Sequence, residues 1–179
     1  MRTTAGFTLW ELLCTLSIAG ILLGLAVPSF HAFVLDSRRT SDVNGFVLAV
    51  QVARSEAIKR GETVVLCQTF DGLQCGNDEL GYGSGWLVFA DLDKTRPPQR
   101  SDAESLIYVY QPTLIGTIVA NREYFDFRPI QKRSTNGTIV FCDERGAAAA
   151  KAVIVSYTGR PRVDTVDPAG EPLVCANSP

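Results

Sequence analysis

The sequence predicts an α+β fold: one long N-terminal helix, membrane-spanning in its first half, whose second half packs on an antiparallel β-rich globular domain. Three features carry this expectation. Residues Phe7 to Val27 form an almost unbroken apolar run of the length, about 20 residues, that a helix needs to cross a bilayer. From Val43 to Ile58 apolar residues recur at helical spacing. Beyond Gly61 the pattern changes to short β-branched and aromatic runs separated by Gly, Asp, Asn and Pro.

Residues 1–6, MRTTAG, precede the apolar run and have no apolar core of their own. An ordinary secretory signal is cut after its hydrophobic stretch, whereas a cut here falls before the helix and keeps it. Glu11 is the one charge in the run. Near a helix centre it costs about 3 kcal/mol, less at this shallow depth, and so it calls for a cationic partner. Cys14, a small thiol among leucines, reads as packing. Pro28 ends the apolar segment 7–28 and, lacking an N–H, favours a kink. The amphipathic continuation over 29–61 buries Val43, Phe46, Val47, Val50, Ala53, Ala57 and Ile58, while Arg54, Ser55 and Lys59 fall on other faces. Glu56 and Arg60 are spaced as a helix pair, and Gly61 supplies the stop.

In the globular domain, 62–179, strands are expected at Thr63 to Gln68, Trp86 to Ala90, Leu106 to Tyr110, Thr117 to Ala120, Tyr124 to Phe127, Thr138 to Cys142, Ala152 to Ser156 and Pro161 to Val166. Closely spaced turns, Asp71-Gly72 and Asn136-Gly137 among them, favour antiparallel hairpins over crossover units. The helix lends its apolar stripe to this sheet. With 179 residues, 46% of them hydrophobic, the chain can bury one core. Of the five cysteines, Cys67, Cys75, Cys142 and Cys175 lie in the polar remainder. Their spacing favours two disulfides over a zinc site, and an oxidising, extracytoplasmic location follows.

At its N-terminus the sequence resembles the type IV prepilin family: Gly6 followed by Phe7, Thr8 and Leu9, Glu11 four positions after Phe7, and Pro28 near the apolar end. The resemblance implies that a prepilin peptidase cuts between Gly6 and Phe7 and methylates the Phe7 amine. It implies a single-pass inner-membrane protein with an extracytoplasmic C-terminal domain, which joins other pilin subunits in a pilus or pseudopilus. Glu11 is then expected to pair with the Phe7 amine of a neighbouring subunit, since charges taken out of water repay their desolvation only when paired. The remainder resembles the GspH/FimT branch of pilin-like proteins, on Gly85-Trp86-Leu87-Val88-Phe89 followed by Asp91, then Phe141-Cys142-Asp143, then Gly159-Arg160-Pro161-Arg162 before Cys175. In this layout Cys67 is paired with Cys75 and Cys142 with Cys175, although the sequence alone permits three connectivities.

Residues for catalysis are scarce. The single histidine, His31, follows the membrane segment and cannot serve both a nucleophile and a metal in the outer domain. Gly81 to Gly85 lacks the ending of a phosphate loop and reads as a turn. Asp91 and Asp93 read as a hairpin turn rather than a calcium loop. No enzyme activity, cofactor or metal is expected. The net charge of -2 and pI near 5.4 carry no global mark of nucleic-acid binding. Charge is uneven, however: Asp71, Asp78, Glu79, Asp91, Asp93, Asp102 and Glu104 make the middle acidic, while Arg128, Lys132, Arg133, Arg145, Lys151, Arg160 and Arg162 make the C-terminal part basic.

Gly159-Arg160-Pro161-Arg162 looks like the Gly-Arg-X-Arg element of FimT-type minor pilins, which implies binding of double-stranded DNA during natural transformation. Arg160 and Arg162 are the expected core contacts and Lys132, Arg133 and Arg145 the auxiliaries, in a sequence-independent, salt-sensitive interaction with phosphates. The alternative is a structural minor pilin or type II secretion pseudopilin of the GspH kind, which primes or caps a filament through protein contacts alone. An anchored adhesin has little support, because the aromatic residues lie in strand patterns typical of core.

Overall fold

The computed structural model describes residues 6, 8–76, 81–129 and 133–175, and only the backbone of 25–28. Residues 1–5 of the leader, Phe7, Asp78, Glu79 and Lys132 lie outside the described residues. The chain forms two compact units, Met1–Ser37 and Arg38–Pro179, and helix α1 (Leu9–Arg60) contributes to both.

In the first unit Thr8 and Glu11 close the start of α1. The Thr8 amide and hydroxyl both donate to Glu11 Oε2 at 2.9 Å, and the Glu11 amide donates to Thr8 Oγ1 at 3.3 Å, the reciprocal arrangement of a capping box. The hydroxyls of Thr15 and Ser17 donate back to the carbonyls of Leu12 and Leu13, which satisfies them inside an apolar surface. This stretch reaches a mean hydropathy of 2.1 and is long and apolar enough to cross a membrane. Leu9, Leu13, Leu16, Ile21 and Leu23 are all exposed along it. Helical structure continues through Pro28.

The second unit carries two four-stranded antiparallel sheets instead of the one sheet expected. The strands are β1 (Thr63–Gln68), β2 (Trp86–Asp91), β3 (Leu106–Tyr110), β4 (Gly116–Ala120), β5 (Tyr124–Phe127), β6 (Gly137–Asp143), β7 (Lys151–Val155) and β8 (Pro161–Asp164). The first sheet has the order β3-β2-β1-β5 and the second β4-β6-β7-β8. Their positions follow the periodicity of the sequence closely. The last strand stops short of Val166, which forms an isolated bridge with Pro172.

The core lies where the apolar stripe of α1, from Val43 to Ala57, meets one face of each sheet. Phe46 is fully buried at the junction. Its ring stands edge-on to Trp86 of β2 at 5.4 Å, Phe125 of β5 at 5.9 Å, Phe141 of β6 at 6.2 Å and Tyr82 at 5.9 Å, the geometry that the aromatic quadrupole favours. Tyr82 arrives on a 3-10 turn over Gly81–Gly83 and donates its hydroxyl to the Glu123 carbonyl at 3.0 Å. A side chain at Gly45 would meet the Tyr110 ring at 2.6 Å, so the helix can approach the sheet here only without a Cβ. Ile58, expected on the buried stripe, is exposed. It sits one residue past Ala57, about 100° further round the helix and beyond the stripe.

Buried polar contacts fix the helix on the sheets. Asp42, fully buried, accepts from the Tyr110 hydroxyl at 2.9 Å and from the amides of Thr113 and Leu114 at 3.0 and 2.7 Å. Arg39 donates to Asp143 at the end of β6, 3.4 Å away, and to the carbonyl of Ala149.

Both disulfides lie on the outer faces. Cys67–Cys75 joins β1 to a loop beside Val65, Leu87 and Phe89, and Cys142–Cys175 ties the C-terminal segment, with Leu173, over Ala150 and Ala152. Asn136-Gly137, expected as a hairpin turn, is not one: Gly137 begins β6, whereas the preceding strand β5 belongs to the other sheet. Glycine is needed there for space, because a Cβ would lie 2.8 Å from Phe125 and 2.8 Å from Asn121. Asp91 and Asp93 do shape the β2–β3 connection, by accepting from the amides of Lys94 and Thr95 at 2.9 and 3.0 Å. Asp91 and Glu104 are buried, so they add nothing to an acidic surface.

Phe46→Ala is expected to cost about 3–5 kcal/mol, while Leu48→Ala, at an exposed position of the same helix, changes stability by no more than about 0.5 kcal/mol. Urea unfolding of the full chain in detergent, followed by near-ultraviolet dichroism, measures both. The same assay with paired Cys→Ser variants should show a larger loss for Cys142/Cys175 than for Cys67/Cys75. Their separations of 33 and 8 residues correspond to a difference of about 1 kcal/mol in loop entropy.

Candidate nucleic-acid interface

The hairpin between β7 and β8 holds the two arginines singled out in the sequence. Its strands pair Val155 with Pro161 and Ile154 with Arg162, and β8 is an edge strand, where a proline without an N–H is tolerated. The turn is braced by its own polar groups. The Ser156 amide donates to the Arg160 carbonyl at 3.0 Å, the Gly159 amide to the Ser156 carbonyl at 2.8 Å, and the Arg160 amide to Ser156 Oγ at 3.2 Å. Ser156 Oγ and Thr158 Oγ1 are 2.9 Å apart. Gly159 has φ +68°, and a Cβ there would come within 3.2 Å of Phe127 and 3.3 Å of Arg54 Cδ. Glycine therefore answers both the backbone conformation and the closeness of β5 and α1.

Arg160 is exposed and forms no side-chain hydrogen bond or ion pair with the described residues. Arg162, 59% exposed, stands 3.8 Å from Asp164, a loose surface pair that contributes little. Arg133 joins the same turn: its guanidinium carbon lies 5.5 Å from the centre of the exposed Tyr157 ring, and the next residue, Ser134, donates its amide to the Tyr157 carbonyl at 3.0 Å. Such a cation–π contact steadies an otherwise mobile side chain. Beside the turn runs a groove of about 510 Å³ between α1 and the hairpin, with Arg54 and Arg160 both on its lining.

The other predicted cations are placed differently. Lys132 lies outside the described residues. Arg145 sits at the opposite end of β7, roughly 14 Å along the strand by strand rise, and is bound to Asp143 through Nε at 3.0 Å and Nη2 at 2.6 Å. These bonds, with Arg39 nearby, hold the buried Asp143 carboxyl below its ordinary 3.8. The structure does not bring Arg145 to the hairpin. Arg128 is also paired, with Asp126 at 3.3 Å.

Arg54 and Tyr157 were not singled out from the sequence. The helical period marks Arg54 only as lying off the buried stripe, and contact across the fold is what brings it to Gly159. An aromatic residue inside the polar turn Ser156 to Gly159 was the available signal for Tyr157. Among the described residues, Asp91, Asp93 and Glu104 bring carboxylate oxygens close together. Glu104 accepts from the amides of Leu92 and Ser101 at 2.6 and 2.9 Å, and Asp91 is bound to Arg96 at 2.9 Å, so these groups brace the loop.

The family model described as type II transport protein GspH matches residues 42–159. The match ends just before Arg160. Pilin-like protein PilA1 of Thermus thermophilus is 31% identical over 177 residues, covering 90% of this chain and 99% of its own length. The type IV major alpha-pilin of Moraxella bovis is 35% identical over 157 residues, covering 84% of this chain and 92% of its own. Among solved structures, the type IV minor pilin FimU of Pseudomonas aeruginosa has a similar fold, with a TM-score of 0.52 at 17% identity over 70% of this chain and 91% of that one.

Acid should loosen the joint at Asp143. Its folded-state pKa is depressed, so its ionic contribution is complete above the unfolded value and is lost as pH falls through the folded one. Stability of the wild type is expected to fall below about pH 4, and Asp143→Asn to be less stable at pH 7 with a shallower acid limb. Thermal melts between pH 7 and pH 2 measure both.

Proposed function

The chain belongs to the GspH family of type IV pilin-like proteins, and from that premise we propose that it is a minor pilin that binds double-stranded DNA without sequence preference and assists DNA uptake in natural transformation. The observation that carries the reading is the braced edge hairpin presenting Arg160 and Arg162 to solvent. Guanidiniums suit phosphate oxygens because their planar forks donate two parallel hydrogen bonds, and a rigid turn leaves little order to be imposed on binding. Arg133 extends the positive strip along the Tyr157 side, with Lys132 its sequence neighbour. Arg145, occupied by Asp143, serves the fold.

Pilins and pseudopilins are structural proteins, and this chain's work is assembly and binding rather than catalysis. A prepilin peptidase cuts between Gly6 and Phe7 and methylates the Phe7 amine. The mature subunit waits in the inner membrane by its apolar helix, its C-terminal domain outside the cytoplasm, and then joins other pilin subunits. In the filament Glu11 pairs with the Phe7 amine of a neighbour, which offsets the cost of a carboxylate in hydrocarbon. The second reading is a type II secretion pseudopilin or structural minor pilin that binds no DNA. It is favoured by a family match confined to residues 42–159, which holds the core but neither Arg160 nor Arg162.

Fluorescence anisotropy of labelled duplex DNA with the full chain in nonionic detergent, across a salt series, separates the two. Weak binding that falls with salt is expected, with Arg160→Gln/Arg162→Gln lowering affinity at least about tenfold and flattening the salt slope by about two. No binding at low salt by the oxidised, folded chain selects the structural reading.

A further inference from the structure

Arg54 is a half-buried arginine of α1 that forms no hydrogen bond or ion pair with the described residues. Its Cδ lies 3.3 Å from where a Gly159 Cβ would stand, so the aliphatic stem packs on the hairpin and the head group is left for the groove. That groove, of about 510 Å³, is lined by Gln51, Arg54 and Ser55 on one side and Gly159, Arg160 and Pro161 on the other. Its lining carries two guanidiniums and no carboxylate. The nearest acid along the helix, Glu56, is taken by Arg60 at 2.7 Å and Lys59 at 3.4 Å. Two cations on one groove lining that holds no carboxylate to offset them favour an anion there. Neutral donors at Gln51 and Ser55 can complete the shell of an oxyanion.

We infer that the groove between α1 and the β7–β8 hairpin is a phosphate seat in which Arg54 and Arg160 grip one phosphate, making Arg54 a third arginine of the DNA-binding surface. The identification of that phosphate as a DNA phosphodiester rests on the function proposed above; the seat itself does not. Arg162, one residue beyond Pro161 along β8, then reaches an adjacent phosphate, and the strand of DNA runs along the hairpin edge.

The test uses the full chain in nonionic detergent as wild type, Arg54→Met, which keeps the packing stem, Arg54→Lys, which keeps the charge, and Arg122→Met as a control on another exposed arginine. Duplex DNA is one probe, read by anisotropy across a salt series, and inorganic phosphate the other, read from the arginine Nε–H signals in nitrogen-15 spectra. Arg54→Met is expected to weaken duplex binding about fivefold at low salt and to flatten the slope by about one. Arg54→Lys should keep the slope, Arg122→Met should change neither, and phosphate should shift the Arg54 and Arg160 signals together. If Arg160→Gln/Arg162→Gln abolishes duplex binding while Arg54→Met binds like wild type, the seat is refuted and the DNA reading stands. If no duplex binds but phosphate moves both signals, the seat stands as a free-phosphate site and the DNA reading fails. Response to neither probe overturns both.

Discussion

Burial of one stripe of α1 between two sheets is the constraint on which the second unit depends. Strand order shows why. The chain lays β1, β2 and β3 into the first sheet, sends β4 to the second, returns β5 to the first and only then completes the second with β6 to β8. No local turn dictates that exchange. It becomes favourable because Phe46 offers a single surface that Trp86, Phe125 and Phe141 can share, so placing β5 beside β1 and β6 opposite it removes the most aromatic area from water. Among the described residues no α-helix covers the outer faces. There the disulfides hold a loop and the C-terminal segment in place over Phe89 and Ala152.

Apolar contact alone leaves a helix free to slide by a turn. Asp42 and Arg39 remove that freedom, because a carboxylate buried without the Thr113 and Leu114 amides, or a guanidinium without Asp143, costs several kcal/mol. Each partner sits at one place only: the donor amides beyond the end of β3, the acceptor carboxylate at the end of β6. The helix is thus tied to the first sheet by one residue and to the second by another. Since Arg54 lies four turns along from Arg39, fixing the register also fixes where its side chain meets the hairpin.

Much of this was legible in the sequence, and the limits have a physical cause. Strand positions were readable because alternation and turn residues are local properties: Thr63 to Gln68 and Tyr124 to Phe127 stand where the pattern places them. Allocation of strands to two sheets was not, because pairing partners are set by long-range burial. Asn136-Gly137 misled for the same reason, its glycine being required by the neighbouring Phe125 ring rather than by a turn. Nothing local marks Asp42 as buried, since its partners Tyr110 and Thr113 lie about 70 positions further along the chain. In the hairpin, the Gly159-Arg160-Pro161-Arg162 string was visible, whereas its third arginine stands 106 positions earlier in the chain than Arg160, on another element.

Counting charges along the chain also gives the wrong picture of the surface. The C-terminal block is rich in cations, yet Arg128 and Arg145 are spent on Asp126 and Asp143, and Arg39 converges on Asp143 as well. Arg96, from the acidic middle, bridges Asp91 and Asp126 at 2.9 and 3.2 Å. In each case a buried carboxylate needs a cation more than the surface does, because desolvation is harshest where no water can enter. The field that an approaching polyanion meets is what remains after these internal pairings. Arg54 and Arg160 belong to that remainder, on a groove whose lining holds no carboxylate, and there even a protein of net charge -2 can hold a locally positive edge.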